Sequence, residues 1–373
     1  MNFAFYIYLI SFVIVVVTIL VRVYIVVVRP KKQSKVSIQE HKLERHESNP
    51  VISPRPHNEW ETQGTLNPAA VTDDSGKVHL LYRSIGADGL SNIGHAKSTD
   101  GLDFSHRSSF PVYRPEIPPP NIALMKTPAI YDPTIYTSGG GWGGFEDPRA
   151  VRIEDRIYMT YVDFQGWDSV RIGLTSIAVK DLEKEKWNWK KPKLISPAGQ
   201  VNKNWVLFPE KVNGKFAILH SISPEVMIDY VDRLDNMYAA PDVKSRAPRG
   251  GRESYWDNWV RGAGPPPIKT DIGWLLLYHA MDKNDPDKYK LGAMILDSTD
   301  PSKILYRSPQ PILTPEMPYE NDGKPGVVYA SGAIVKDGNL MVYYGGGDKH
   351  VCVAQTPLKS LLEWLVAHGK EDR

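Results

Sequence analysis

The sequence holds a single cysteine, Cys352, in 373 residues. One thiol excludes an internal disulfide framework and every multi-cysteine metal site. Cys352 stands between two valines in an alternating stretch, the pattern of a buried strand position. An excess of either charge is also missing. The formal net charge is +2, from 45 basic and 43 acidic side chains, and no basic run interrupts the part that reads as folded. The electrostatic footprint of a nucleic-acid binder is therefore absent. The ten histidines show no metal-ligand spacing, so neither a metal nor an organic cofactor is expected. Strand and helix patterns do not alternate regularly, which argues against an α/β sheet.

What is present divides unevenly along the chain. From Phe3 to Val28 the sequence is almost wholly apolar, about 26 residues or roughly 39 Å as a helix, enough to span a bilayer. No Lys or Arg precedes the run, which is too long for a signal-peptide core and lacks a small-x-small site after it. Arg29, Lys31, Lys32 and Lys35 follow it. The positive-inside rule then predicts a single-pass membrane protein with its C-terminal part in the cytoplasm. Residues 1–28 read as a transmembrane anchor, 29–45 as a polar basic tether, 46–357 as one large domain and 358–373 as a C-terminal helix. Leu361, Leu362 and Leu365 share one face of that helix.

Within the large domain one phrase recurs: a proline or small-residue pair, an aliphatic run, a turn, and a strand ending in aromatics. It runs from Asn67 to Arg83, Glu146 to Tyr161, Phe208 to His220, Gly264 to His279 and Ser331 to Tyr344. Asp74-Ser-Gly76, Asn213-Gly214 and Asp337-Gly338 supply hairpin turns inside three copies. Repeats of short strands, turns and aromatics point to an all-β radial array, a five-bladed β-propeller. A β-sandwich does not require every hairpin to begin alike. In a propeller the repeated starts converge at one mouth of the central channel, bringing carboxylates, amides and guanidiniums together with aromatics, the chemistry that polyhydroxylated ligands need. The long connections 105–143 and 221–261 carry Trp142, Tyr255, Trp256 and Trp259, candidates for the pocket wall.

The second copy opens on Gly-Gly-Trp-Gly-Gly-Phe-Glu-Asp-Pro-Arg, residues 140–149. Permissive backbone leads into two adjacent carboxylates, a proline that fixes the chain and an arginine able to pair with an acid. Asp147 is the first candidate for general acid catalysis. The bland alternative is an ion pair of Glu146 with Arg149 beside a turn capped by Asp147.

The phrases Asn67-Pro-Ala-Ala, Tyr82-Arg83, Gly144-Phe-Glu-Asp-Pro-Arg149, Leu207-Phe-Pro-Glu-Lys211, Gly262-Ala-Gly-Pro-Pro-Pro-Ile268, Gly273-Trp-Leu-Leu-Leu-Tyr-His279 and Gly345-Gly-Gly-Asp348 resemble glycoside hydrolase family 130. That is the family of β-mannoside phosphorylases and β-mannosidases, and the likeness runs from about residue 45 to 357. It implies a five-bladed propeller that cleaves β-mannosides with inversion, most often with inorganic phosphate as co-substrate. By the resemblance, Asp147 is the proton donor, directly or through a sugar hydroxyl, and Asn67, Arg83, Asn204 and Asp348 hold mannose. Lys203 falls where phosphorylases carry a basic residue. Ser221 stands where an arginine is expected, and Val260 or Arg261 where a lysine is. Arg171, Lys211, Arg261 and His279 are the cations available to compensate.

Phosphorolysis and hydrolysis predict different pockets. Phosphate brings its own nucleophilic oxygen, so one carboxylic acid and a set of cations suffice. Inverting hydrolysis needs a second carboxylate roughly 6.5 to 9.5 Å away to activate water. Glu210, Glu225 and Glu253 are the candidates for it. The third alternative is a carbohydrate-binding propeller without catalysis. The expected partners are an oligosaccharide, phosphate and, through the anchor, a membrane.

Overall fold

The computed structural model describes residues 40–115, 129–234 and 250–371, together with Phe12, Val16 and Val17. The chain divides into two units, Met1–Gln39 and Glu40–Arg373, and the architecture below is that of the second. The expected single-pass membrane placement is corrected here. Among the described residues no helix is long and apolar enough to cross a membrane. A spanning helix needs about 20 apolar residues, whereas the C-terminal helix Leu358–His368 has 11 and buries only one face, through Leu361, Trp364 and Leu365. The Phe3–Val28 run itself lies outside the described residues except at the three positions named.

The described chain forms five antiparallel meanders of three principal strands each. The first holds β1 (Gly64–Thr72), β2 (Val78–Ile85) and β3 (Leu90–Ser98), and the second β4 (Gly143–Ile153), β5 (Arg156–Phe164) and β6 (Val170–Ala178). The third holds β7 (Val206–Leu207), β8 (Phe216–Ser221) and β9 (Met227–Val231). In the fourth are β10 (Trp259–Ala263), β11 (Gly273–Asp282) and β12 (Asp285–Leu296), and in the fifth β13 (Val328–Lys336), β14 (Asn339–Gly346) and β15 (His350–Pro357). A short parallel pairing, Leu90 with Gly143 and Ser91 with Gly144, merges the first two meanders into one sheet. The turns follow the sequence: between β1 and β2 the Asp73 carboxylate accepts from the backbone N–H of Ser75 and of Lys77, both at 2.9 Å, around Gly76 at φ 78°.

A shared packing device accounts for the aromatic strand ends. In three meanders a tyrosine of the middle strand lies over a glycine paired with it on the third strand: Tyr82 over Gly94, Tyr161 over Gly173 and Tyr278 over Gly292. A Cβ on any of these glycines would fall within 2.7 Å of the ring. In the fifth meander Tyr344 pairs with Cys352, so the lone cysteine is a small buried residue under a ring. The Tyr82, Tyr278 and Tyr344 hydroxyls each donate to a buried carboxylate, Glu61 at 2.8 Å, Asp257 at 2.7 Å and Glu320 at 2.8 Å. Each carboxylate in turn is paired with arginine: Arg107 with Glu61, Arg307 with Asp257 and Arg45 with Glu320. In these three clusters the buried charges are paired and hydrogen-bonded.

The core lies between consecutive meanders. Leu81 of the first packs with Met159 of the second, Phe164 of the second with Leu207 of the third, and Leu219 of the third with Leu276 of the fourth. Leu277 of the fourth packs with Val342 of the fifth, and Met341 of the fifth with Leu80 of the first, so the series closes on itself. The strand Glu44–Arg45 pairs with β15, joining the start of the unit to its end. That strand falls within the second unit, which runs from Glu40.

Candidate active site

The first strand of a meander carries the site, and an irregularity aims it. The pairing register slips between Leu66 and Ala69, Glu146 and Arg149, Val260 and Gly262, and Ala330 and Gly332. Such bulges bend a strand and turn a side chain out of the ladder. Asn67 and Asp147 sit within two of them in the left-handed region, at φ 47° and 48°, a conformation that Asn and Asp tolerate better than other side chains. A proline follows each, and its missing N–H takes nothing from the interrupted ladder.

These residues open onto a cavity of about 690 Å³ lined from all five meanders and the loops between them. At its base Asn67 donates to the Asp147 carboxylate at 2.7 Å, and Arg83 approaches the same oxygen at 3.4 Å. Asp147 is 5% exposed and Arg83 2%. Burial pushes the Asp147 carboxyl up, but Arg83, Lys203, Arg149 and the Asn67 hydrogen bond outweigh it and hold the group below the usual carboxylate range. The ligand-free site thus keeps Asp147 ionised at neutral pH.

Glu146 has a supporting part. Its buried carboxylate accepts from Arg83 at 2.9 Å, Ser138 at 2.7 Å and Lys203 at 3.2 Å, which fixes two cations beside Asp147. Arg149 does not pair with Glu146. It donates to the Asp147 carbonyl at 2.9 Å, the Gly264 carbonyl at 2.8 Å, the Asn204 side-chain oxygen at 2.8 Å and the Tyr329 hydroxyl at 2.9 Å. This arginine ties four meanders around the acid. Asn204, at φ 65°, lines the cavity, yet its oxygen is taken by Arg149 and Tyr329 and its amide donates to the Arg261 carbonyl at 3.1 Å. Asp348, in the β14–β15 turn at φ 51°, lines the cavity with Lys324 at 3.7 Å. Burial raises its carboxyl, opposed by Lys324 and Arg83 and reinforced by the Asp147 charge.

Residues 42–367 match the family model for glycoside hydrolase family 130, described as β-1,4-mannooligosaccharide phosphorylase. The chain belongs to glycoside hydrolase family 130. Among curated relatives, a 1,2-β-oligomannan phosphorylase of Thermoanaerobacter sp. (strain X514) is 36% identical over 330 residues, covering 86% of this chain and 99% of its own. A β-1,2-mannobiose phosphorylase of the same organism is 34% identical, covering 84% and 96%. Among solved structures, the β-1,2-mannobiose phosphorylase of Listeria innocua, in complex with β-1,2-mannobiose, superposes with TM-score 0.64 at 24% identity, covering 87% of this chain and 99% of that one. A glycosyl hydrolase from Bacteroides ovatus gives 0.67 at 23%, covering 86% and 95%. At those identities the two structures speak for the all-β fold alone.

The four cations assigned to phosphate in this family-130 protein separate into two groups. Lys203 and Arg261 line the cavity. Lys203 also lies 5.1 Å from the Trp167 ring centroid, and the Arg261 guanidinium packs over Trp259 at 4.9 Å, its buried Nε without a hydrogen-bond partner. Arg171 lies outside the cavity lining and donates to the Ser196 carbonyl at 2.6 Å. His279 also lies outside it. Its Nε2 accepts from the Ala330 backbone at 2.9 Å, and burial, with Arg149 nearby, pushes the ring down to about 3, so it is neutral. Ser221 donates to the Ser223 carbonyl at 3.2 Å and puts no cation in the arginine's place. Lys211 packs over the Phe216 ring at 4.7 Å.

Sequence reasoning missed two residues that line the cavity, Tyr329 on the first strand of the fifth meander and Lys324 in the loop before it. The signal available was the turn-forming Asp322-Gly-Lys-Pro-Gly326 immediately before the fifth repeat. Of the four aromatics proposed for the wall, only Trp259 lines the cavity; Trp256 packs in the core, Trp142 donates to the Asp88 carbonyl and Tyr255 packs on Arg252. Glu210, Glu225 and Glu253 are exposed residues outside the lining, and Glu210 is paired with Lys269.

Proposed function

We propose that this protein is an inverting phosphorylase of β-mannosides built on a five-bladed β-propeller, releasing α-mannose 1-phosphate. The observation that carries the reading is the grouping of Asp147 with Lys203 and Arg261 in one cavity, while all three candidate bases for water stay outside it. The five meanders and the cyclic series of core contacts support the propeller. Both Thermoanaerobacter relatives act on β-1,2-linked mannosides, which favours that linkage over the β-1,4 linkage in the family model's description.

Asn67, Arg83 and Asp348 hold the terminal mannose at the polar base. Lys203 and Arg261, aided by Lys324, receive phosphate. A phosphate oxygen attacks C1 from the face opposite the leaving sugar, the C1–O bond breaks, and the proton of Asp147 passes to the departing oxygen, directly or through a sugar hydroxyl. Asp147 must first acquire that proton. Phosphate beside Lys203 offsets the positive field that keeps the carboxylate ionised, so co-substrate binding and protonation support each other. The reaction calls for no metal or organic cofactor.

The test is turnover of β-1,2- and β-1,4-mannobiose with and without inorganic phosphate, following mannose 1-phosphate against free mannose. Phosphate-dependent sugar phosphate is expected, faster from the β-1,2 substrate, with Asp147→Asn lowering kcat by about 10²–10⁴ while sugar affinity changes little. Free mannose formed at the same rate without phosphate would mean hydrolysis, and sugar binding without any turnover would mean a lectin.

A further inference from the structure

The cavity changes character between its base and its lip. At the base are charged and amide groups with almost no exposure; at the lip are Trp167, 51% exposed, and Val201, 44% exposed. Large apolar side chains exposed together at the edge of a polar pocket are the informative kind of exposure. The two share one framework, because Val201 bridges to Val170 and Asn202 donates its N–H to the Val170 carbonyl at 3.0 Å.

Trp167 is presented by an ordered turn between β5 and β6. Gln165 donates its backbone N–H to the Ser169 carbonyl at 3.1 Å, Ser169 to that of Gly166 at 3.0 Å, and Gly166 supplies φ 92°. The Phe164 ring meets the indole edge-on, with centroids 5.3 Å apart at 76°, and the Lys203 ammonium stands 5.1 Å from the indole centroid. The ring is therefore fixed although half of it faces solvent. None of these contacts requires a tryptophan, and none covers it.

We propose that Trp167, flanked by Val201, is a binding platform for a mannosyl unit on the leaving-group side of the scissile bond, and that it selects oligosaccharides over the disaccharide. The inference rests on the β-mannoside reading above. With the terminal mannose at the polar base, a longer chain runs out past the exposed lip. A mannopyranose ring presents a C–H face that a fixed indole covers without hydrogen-bond geometry, which suits sugars in successive positions.

The experiment compares wild type, Trp167→Ala and Trp167→Tyr on β-1,2-linked mannobiose, mannotriose and mannotetraose. It measures kcat/KM for phosphorolysis and, separately, calorimetric affinity without phosphate. The expected result is a fall of about five- to tenfold in the tetraose-to-biose ratio of kcat/KM in Trp167→Ala, expressed in KM, with most of it restored by Trp167→Tyr. The affinity ratio should fall by the same factor. An equal loss at every chain length, or a rise only in KM for phosphate, would show that Trp167 merely supports Lys203 and would overturn the proposal, as would no change. Absence of turnover in wild type would strike the phosphorolysis reading instead, and the calorimetric series would still decide the platform.

Discussion

Asp147 and His279 show how burial acts with opposite outcomes at two residues. Three cations and an amide around the Asp147 carboxylate overcome desolvation and keep it charged. At His279, whose ring stacks on Tyr329 with centroids 4.4 Å apart, burial dominates, Arg149 and Arg261 add to it, and the opposing Asp147 charge is outweighed. The consequence for stability follows from proton counting. With the folded pKa at about 3 and the unfolded ring titrating near 6.5, only the unfolded state takes up a proton between those values. The His279 contribution is complete above about pH 6.5 and is lost as pH falls toward 3. Thermal melts from pH 7.5 to 4 should show Tm declining, and His279→Gln, which keeps an acceptor for the Ala330 N–H, should flatten the slope. An unchanged slope in the variant would assign the decline to other groups, His79 and His95 first among them, since burial depresses both.

At the scale of elements, the site depends on bulges, and the bulges depend on space made by neighbouring strands. Gly345 of β14 is the clearest case: a Cβ there would stand 2.2 Å from the Asn67 side-chain oxygen and 3.0 Å from its backbone nitrogen. Gly345→Ala must push Asn67 away from Asp147. We expect kcat/KM to fall on the order of a hundredfold, as for a small misplacement of a reacting group, with the fold retained by circular dichroism. Gly338→Ala is the control. It sits at φ 77° with nothing near its Cβ position, so it strains the β13–β14 turn, by about 1 kcal/mol, and leaves the rate alone. Full activity in Gly345→Ala would show that Asn67 need not stay fixed against Asp147.

The bulges also mark where the sequence could and could not be read. Asn67-Pro and Asp147-Pro recur at the same point of two repeats, so their place at one mouth could be read from the repeat, whereas Lys203 and Arg261 were singled out through the family resemblance. His279 was misjudged for a physical reason. It alternates with Tyr278 at a strand end, but the register slip between Val260 and Gly262 leaves its ring beneath Ala330 and outside the cavity lining. Arg171 looked available because a pattern of charge gives no indication that the Ser196 carbonyl will be waiting for it. Lys324 and Trp167 belong to loops, which carry no period to reveal which way they face.

For the whole molecule, the repeats explain both stability and chemistry. Each core cluster needs two consecutive meanders, and the strand Glu44–Arg45 pairs at the edge of β15, the last strand of the fifth meander. The tyrosine, carboxylate and arginine clusters recur in the first, fourth and fifth meanders, away from the cavity. Repetition therefore serves the scaffold, while the cavity is built from what differs among the copies: an amide at Asn67, an acid at Asp147, a cation at Arg261. Asymmetry of this kind is what a reaction with distinct donor, nucleophile and leaving group requires.

The central claim is attack by phosphate opposite a sugar whose departing oxygen is protonated by Asp147. It is tested most directly by the configuration of the first-formed product, read by proton and phosphorus NMR during turnover of β-1,2-mannobiose in phosphate buffer. The account predicts α-mannose 1-phosphate, formed with inversion, together with free mannose from the reducing end only. β-Mannose 1-phosphate would require a covalent intermediate and a second displacement, and mannose alone, with no sugar phosphate, would require water as the nucleophile; either result would contradict it.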